Sequence, residues 1–382
     1  MDLDELRQQI DAADAQLIDA FQKRMEVAEK IGEYKMNIGK PVLDSSRERE
    51  KMAKIYDMAD ERTKPYITAV YSVLFEVSRG LQSKFVPSLG EDFKEIDDVI
   101  KEMANKPFPT RATVACQGVE GAYSQEACEK AFQLPTISFV NSFSDVFKAI
   151  DNGSCEYGVL PVENSNAGTV ALVYDLMIKH HFNIVRSVRV KVDHNCMMLP
   201  GGKMSDIREV ISHEQAISQS REFIESLGPD VKVTTCKNTA VAAQMVAESG
   251  RTDLCCLSNS KCSDLYGLNI VKHSVQDQGN NYTRFMVISK KLEIYPGASR
   301  TSLMMVLNHE PGALYKVLAY LYTNGVNLTK IESRPLAGRD FEFMFYFDLD
   351  CSIYNEGFSR MIAKLQTMGK EFRYLCSYSE IL

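Results

Sequence analysis

Residues 3–38 read LDELRQQIDAADAQLIDAFQKRMEVAEKIGEYKMNI. Two rows repeat every seven residues. One is Leu3, Ile10, Leu17, Arg24, Ile31 and Ile38; the other is Leu6, Ala13, Ala20, Val27 and Tyr34. That is the a/d spacing of a helix packed along a coiled-coil seam. Gly39 and Pro41 mark its end. A helix of about 36 residues spans about 54 Å, too long a seam for the rest of a ninety-residue segment to cover. The pattern therefore predicts a second copy of the chain, as an intertwined homodimer.

Arg24 interrupts the apolar row. An unpaired buried charge costs several kcal/mol, so an anion is expected there. Two readings stand: an ion pair that sets helix register, or a site for a small dianion. Arg7 and Lys35 share a heptad position four heptads apart, about 42 Å along one helix, so they cannot share a ligand within one chain. In an antiparallel dimer Arg7 of one chain approaches Arg24 and Lys35 of the other, which gives two equivalent cationic sites. Asp44-Ser45-Ser46 opens a second helix that carries Arg47 and Glu48; Ser45-x-x-Glu48 also reads as a capping box. A third helix begins near Pro65 and places Ser78 and Gln82 four residues apart on one face.

Outward from this segment the 382-residue chain is ordinary in composition, with 45% hydrophobic and 25% charged residues. Two to four domains are expected. A net charge of −7 argues against nucleic acid, and the acidic opening Met1–Glu5 reads as neither a signal peptide nor a membrane anchor. The expectation is a cytoplasmic protein. Ten scattered cysteines without a Cys-x-x-Cys spacing, and six histidines without a His-Glu-x-x-His array, predict no metal site.

Residues 86–110, with Pro87, Gly90, Pro107 and Pro109, read as a connector. From about 111 to 290, strand-like runs alternate with helical ones: Thr113–Cys116, Ile137–Val140, Tyr157–Leu160, Glu209–Ile211, Lys232–Thr235, Asp253–Leu257, Ile270–His273 and Phe285–Ser289. Alternation predicts parallel α/β sheets. A polar stretch near Arg186–Asn195 is expected to be a hinge between two lobes. From about 300 to 382 the order is strand, helix, strand, strand, helix, strand, which is ferredoxin-like.

The N-terminal set of Leu6-Arg7, Arg24, Lys35, Asp44, Arg47-Glu48 and Ser78-x-x-x-Gln82 resembles the all-helical (AroQ-type) chorismate mutases, over residues 1–88. The resemblance implies that chorismate rearranges to prephenate. Arg7 of a partner chain and Arg24 would bind the carboxylates, Lys35 and Gln82 would donate to the ether oxygen, and Glu48 with Asp44 would meet the ring hydroxyl, with Arg47 and Ser78 completing the shell. The middle runs Glu163-Asn164-Ser165, Ser212 to Gln219, and Thr283-Arg284-Phe285 resemble the prephenate dehydratases over 111–290. There Thr283 would meet the departing hydroxyl, and Asn164, Ser165, Ser212 and Gln219 would orient the substrate. Glu163 would shape the charge. Arg284 reads equally as a carboxylate binder or a structural arginine, and Phe285 as a packing residue. Gly312-Ala313-Leu314 and Glu332-Ser333-Arg334-Pro335 resemble the effector site of an ACT domain at 300–382, which implies inhibition by phenylalanine; Tyr315 departs from the usual smaller residue.

The expected fold is thus multidomain: an all-α intertwined mutase domain, a two-lobed, periplasmic-binding-protein-like α/β dehydratase domain, and an α+β ferredoxin-like ACT domain. No cofactor is expected. Partners are chorismate, prephenate, phenylalanine and a second chain, with dimer or tetramer left open. Two alternatives stand beside this. One is a middle domain that prefers arogenate. The other is a non-catalytic small-anion-binding protein, since two-lobed clefts also serve solute receptors.

Overall fold

The structure is a computed structural model. It describes residues 2–40, 42, 44–83, 98–99, 101–103, 106–336, 338–339, 342–355 and 357–382, and only the backbone of Ser45, Pro65, Glu76 and Ser83. Pro41, Pro87, Gly90 and Phe341 lie outside the described residues. Two compact units emerge. One is Met1–Lys94, Leu307–Asn327 and Ser359–Lys370; the other is Glu95–Val306, Leu328–Phe358 and Glu371–Leu382.

Helix α1 (Leu3–Asn37) starts on a capping box in which Asp2 accepts from the Glu5 N–H and the Glu5 side chain returns to Asp2. It ends at Ile38, before Gly39 in the left-handed region. Its seam is bare along much of its length. Leu3, Ile10 and Leu17 are each more than 60% exposed, whereas Met25 and Ala28 are buried. Helix α2 (Ser45–Met58) is capped by Asp44, whose carboxylate accepts from the Arg47 N–H. Capping therefore falls one residue earlier than the Ser45 motif suggests, and Glu48 is released for another partner. Helix α3 (Lys64–Ser83) packs against α1 and α2.

In the second unit, chain order gives β1 (Arg111–Gln117), α4 (Tyr123–Ala131), β2 (Leu134–Val140), α5 (Phe143–Asp151), β3 (Tyr157–Asn164), β4 (Gly168–Thr169), α6 (Ala171–Lys179), β5 (Asn183–Lys191) and β6 (Asn195–Met198). After these come β7 (Glu209–His213), α7 (Glu214–Gln219), α8 (Arg221–Ser226), β8 (Lys232–Cys236), α9 (Thr239–Ser249), β9 (Leu254–Ser258), α10 (Lys261–Tyr266), β10 (Asn269–Lys272) and β11 (Tyr282–Ser289). The expected strands form, but the sheets are mixed. β1 runs parallel to β2 and β3, while β11 is antiparallel to both β3 and β5. A smaller sheet has the order β10-β6-β9-β7-β8.

The expected hinge at Arg186–Asn195 is mostly strand β5. Its charges hid it. The Arg186 guanidinium lies over the Phe108 ring at 3.3 Å and donates to the Ala131 carbonyl, and Arg189 pairs with Glu380. A strand can carry arginines when its neighbours supply aromatic faces and carboxylates. The crossing between sheets is confined to Val192–His194 and the return near residues 275–281.

Each face of the larger sheet buries its own core. Phe147, Leu160 and Tyr174 fill one side, and Val114, Phe132 and Phe285 the other. Burying such a side chain fully contributes about 1.5–3 kcal/mol. Gly158 lets α5 approach β3: a Cβ there would stand 2.6 Å from Val146 Cγ1.

The C-terminal order is β12 (Arg300–Val306), α11 (Ala313–Thr323), β13 (Asn327–Pro335), β14 (Phe343–Asp350), α12 (Phe358–Gln366) and β15 (Glu371–Ile381). Its strands lie in the order β13-β14-β12-β15, the arrangement of a ferredoxin-like βαββαβ unit. β15 then pairs in parallel with β5, so these strands extend the larger sheet. Helices α11 and α12 fall in the first unit. No helix among the described residues is long and apolar enough to cross a membrane.

Candidate active sites

Two cavities collect the predicted residues. The first, about 440 Å³, is lined by Arg24, Lys35, Asp44, Arg47, Glu48, Ser78 and Gln82, with Val27, Ile31 and Phe75 as apolar wall. Seven-residue spacing on α1 brings Arg24 and Ile31 onto one face, and the next turn adds Lys35. Arg24 donates to the Leu74 carbonyl at 3.1 Å and to the Ser78 hydroxyl, and lies over the Phe75 ring. Burial lowers its pKa, with Tyr71 and Glu48 opposing the shift. Lys35 reaches the Val42 carbonyl at 2.6 Å. Glu48 pairs with Arg79, which also lines the cavity and which the sequence reading missed. The side-chain oxygen position of Gln82 is buried and unpartnered among the described residues. Arg7 lies outside the cavity, exposed and paired with Asp4, as the length of α1 requires.

A neighbouring cavity in the same unit, about 500 Å³, shares Glu48, Phe75 and Arg79 and is closed on its other side by Ala313, Tyr315 and Lys316 of α11. Gly312 caps that helix, with Ala313 and Leu314 as its first residues.

The second predicted site is a cavity of about 370 Å³ between the two sheets. It is lined by the Gln117–Ser124 loop, Asn164, His194, His213, Gln219, Lys237, Thr283 and Phe285, among others. Gly121 takes φ +88° in that loop, and a Cβ there would meet Cys262 Sγ at 2.9 Å. Lys237 is the single lysine or arginine among the described lining residues, and no aspartate or glutamate lines the cavity.

Register explains which side chains face this cavity. Thr283 on β11 pairs directly with Asn164 at the end of β3, and Asn164 Nδ2 donates to Thr283 Oγ1 at 3.0 Å. Alternation along β11 turns Thr283 and Phe285 toward the cavity and Arg284 away. Arg284 instead pairs with Asp348 and donates to Ser187 (3.0 Å) and Tyr378 (2.9 Å), holding β11 to the C-terminal strands. Ser212 is fully buried beneath the site and donates to the Leu257 carbonyl at 2.7 Å. Ser165 braces the β3 turn through the Tyr282 N–H and the Asn280 carbonyl. Glu163 pairs with Lys330 at 3.5 Å.

Strand β13 has two faces. Lys330, Glu332 and Arg334 point inward: Lys330 to Thr169 and Glu163, Glu332 to Thr169, and Arg334 to Asp175 through two 2.8 Å bonds. Ser333 and Pro335 lie on the exposed face with Ile331. The predicted effector run is therefore split between the two faces.

Comparison with known proteins follows this division. A family model described as prephenate dehydratase matches residues 114–293, and one described as chorismate mutase type II matches 6–83. The arogenate dehydratase/prephenate dehydratase 2, chloroplastic, of Arabidopsis thaliana is 34% identical over 281 residues, covering 70% of this chain and 73% of its own length. The chain belongs to the prephenate dehydratase family. A bifunctional chorismate mutase/prephenate dehydratase of Aquifex aeolicus is 28% identical over 382 residues, covering 100% of this chain and 99% of its own. Among solved structures, a prephenate dehydratase in complex with L-Phe from Arthrobacter aurescens has the same fold. Its TM-score is 0.64 at 24% identity, over 70% of this chain and 89% of that one. Two residues that line the cavity between the sheets, His194 and Lys237, carried no role in the sequence reading. His194 sits in the polar Arg186–Asn195 stretch read as a hinge, and Lys237 lies just past the strand expected at Lys232–Thr235. Asn281 is fully buried and does not line the cavity, but bonds to Asn164 and Gln219, which do.

Proposed function

We infer that this chain carries out two consecutive reactions in separate cavities. It rearranges chorismate to prephenate, then dehydrates and decarboxylates prephenate to phenylpyruvate, in phenylalanine biosynthesis. The observation that carries the reading is the agreement of a full-length bifunctional relative with two cavities, one lined by Arg24, Lys35, Asp44, Arg47, Glu48, Ser78 and Gln82 and the other by Asn164, Gln219, Thr283 and Phe285.

In the mutase cavity no nucleophile is needed. The ether C–O bond breaks as the new C–C bond forms. Arg24 holds one carboxylate, and Arg7 of a partner chain holds the other. Lys35 and Gln82 donate to the ether oxygen, where negative charge grows. Glu48 and Asp44 meet the ring hydroxyl, Arg79 holds Glu48 in place, and Arg47 and Ser78 complete the wall. The bare seam of α1 supports the homodimer that this assignment requires.

In the dehydratase cleft the ring carboxylate leaves as carbon dioxide. Its bonding pair enters the ring, and the hydroxyl departs as water with a proton that Thr283 passes on and regains from solvent. Lys237 meets a substrate carboxylate. Asn164 and Gln219 orient the reacting end, and Phe285 keeps it dry. Prephenate suits this lining better than arogenate, whose ammonium would find no carboxylate. The C-terminal strands and α11 act as an ACT domain that senses phenylalanine, supported by the strand order and by the L-Phe complex of a relative.

Purified protein given chorismate should release phenylpyruvate, and phenylalanine should slow the second step. Accumulation of prephenate alone would remove the dehydratase assignment, and a flat phenylalanine titration the regulatory one.

A further inference from the structure

A chain of side-chain amides runs away from Thr283, and its polarity is fixed at one end. Asn164 Oδ1 accepts from two backbone N–H groups, Asn166 at 3.1 Å and Ala167 at 2.9 Å. That atom must therefore be the oxygen, and the amide nitrogen must face the other way. There it donates to Thr283 Oγ1 and to Asn281 Oδ1 at 2.7 Å. Asn281, fully buried, then turns its own amide nitrogen to Gln219, whose Oε1 accepts at 2.9 Å. The same Oε1 lies 3.1 Å from His194 Nε2. An oxygen facing a ring nitrogen requires that nitrogen to carry the hydrogen, so the chain dictates the Nε2–H tautomer.

The other end of the chain is equally constrained. Thr283 Oγ1 already accepts from Asn164, and no acceptor among the described residues takes the Thr283 hydrogen. Thr283 lines the cleft, so its hydrogen is left for a ligand.

We propose that His194 is a positioning residue for the dehydration: as the Nε2–H donor it anchors the chain Gln219–Asn281–Asn164 whose polarity leaves the Thr283 hydrogen to the departing hydroxyl. The proposal rests on the reading of Thr283 given above. The surroundings favour a neutral ring. His194 is 2% exposed, and burial lowers its pKa. His213 adds to the lowering, while Gln219 and Asp193 oppose it. Tyr123 stands 3.5 Å from Nδ1 but gives its hydrogen to the Asp193 carbonyl at 2.8 Å, and Gln276 holds the His194 backbone N–H. None of these groups competes for Nε2.

Two variants separate this role from packing. His194→Gln keeps a nitrogen donor near the Nε2 position; His194→Leu keeps bulk and removes the donor. With prephenate added directly to the full chain, His194→Leu should lower kcat about tenfold or more while KM moves less than about twofold, because Gln219 Oε1 loses one of its two donors and the amide chain its outer anchor. His194→Gln should recover most of that loss. A wild-type kcat in His194→Leu, or an equal loss in both variants, overturns the proposal. Histidine-selective 15N spectra of the unmodified protein test it without any substitution. Nε2 should appear protonated and Nδ1 bare, and the opposite tautomer overturns it. Thr283→Val in the same assay keeps the two claims apart. If that variant is inactive while His194→Leu is not, the anchor fails and Thr283 stands; if Thr283→Val is fully active, both fail.

Discussion

The two cavities solve unlike problems with unlike materials. The mutase cavity is crowded with charge: Arg24, Lys35, Arg47 and Arg79 face Asp44 and Glu48. The dehydratase cleft has one lysine, two histidines and a set of neutral amides and hydroxyls. The difference follows from where charge appears. The rearrangement moves negative charge onto an ether oxygen within a molecule that is already a dianion, so fixed cations act on the transition state directly. The dehydration expels a neutral molecule and needs one hydrogen delivered in a dry place, where a long-range field would do little and misdirected hydrogen bonds would do harm. A second contrast is completeness. The residues proposed for the dehydratase cleft lie in one chain, whereas Arg7, proposed for the mutase cavity, lies outside it along the same helix as Arg24.

The sharpest way to break this comparison is Arg24→Ala. Loss of the partly buried cation should lower mutase kcat/KM by about 10²–10³-fold, with the rate on added prephenate unchanged; a mutase rate within tenfold of wild type would refute the charge-driven reading. Arg24→Lys should recover only part, because the Leu74 carbonyl and Ser78 occupy one guanidinium nitrogen, Nη1, and leave the rest of the planar group to meet a carboxylate, which an ammonium cannot match. Next in size is Thr283→Val, which removes the hydroxyl and keeps the shape. Phenylpyruvate formation should fall about 10²-fold while chorismate is still consumed at the wild-type rate, so prephenate should accumulate and be seen by its acid conversion.

Completeness can be tested by mixing. If the mutase sites are shared, Arg7→Ala and Arg24→Ala chains co-expressed at equal levels form half heterodimers, each with one intact site and one doubly damaged. About a quarter of wild-type mutase activity should return. Two variants that stay inactive when mixed would place Arg7 in its own chain's site, or outside it.

The sequence made most of this legible where the pattern is local. The heptad rows, Gly39 and the Arg24 interruption give α1 and its cavity because a helix repeats every few residues. The strands of the middle segment are readable for the same reason. What stayed hidden depends on partners distant in the chain. β5 reads as polar because Phe108 and Glu380, which take up its arginines, are far away in sequence. Arg284 is ambiguous between Thr283 and Phe285 until alternation along β11 and the buried Asp348 decide its face. His194 has no motif at all; its place is visible only through Gln219 and Asn281. Glu48 shows the converse, since its capping motif is real as a pattern and loses to Asp44.

The smallest effects expected concern β13, where the comparison turns from the two cavities to the two faces of one strand. Ser333 lies on the exposed face, and Arg334, its neighbour, pairs with Asp175 on α6. If phenylalanine seats on the open face, Ser333→Ala should raise the concentration for half-inhibition and leave full inhibition attainable. Arg334→Gln should do the reverse. The ligand would still bind, but a strand less firmly held to α6 would pass on less of the strain, so the inhibition reached at saturation should shrink. A partly exposed ion pair contributes about 0.2–1 kcal/mol, against the 1–3 kcal/mol typical of coupling between sites. The plateau should therefore shift by about two- to fivefold in residual rate and not vanish. Dehydratase titrations at fixed prephenate read both numbers. Equal displacement of the midpoint by both substitutions, with the plateau unmoved, would mean that the two faces act as one binding surface and that β13 carries no separate coupling face.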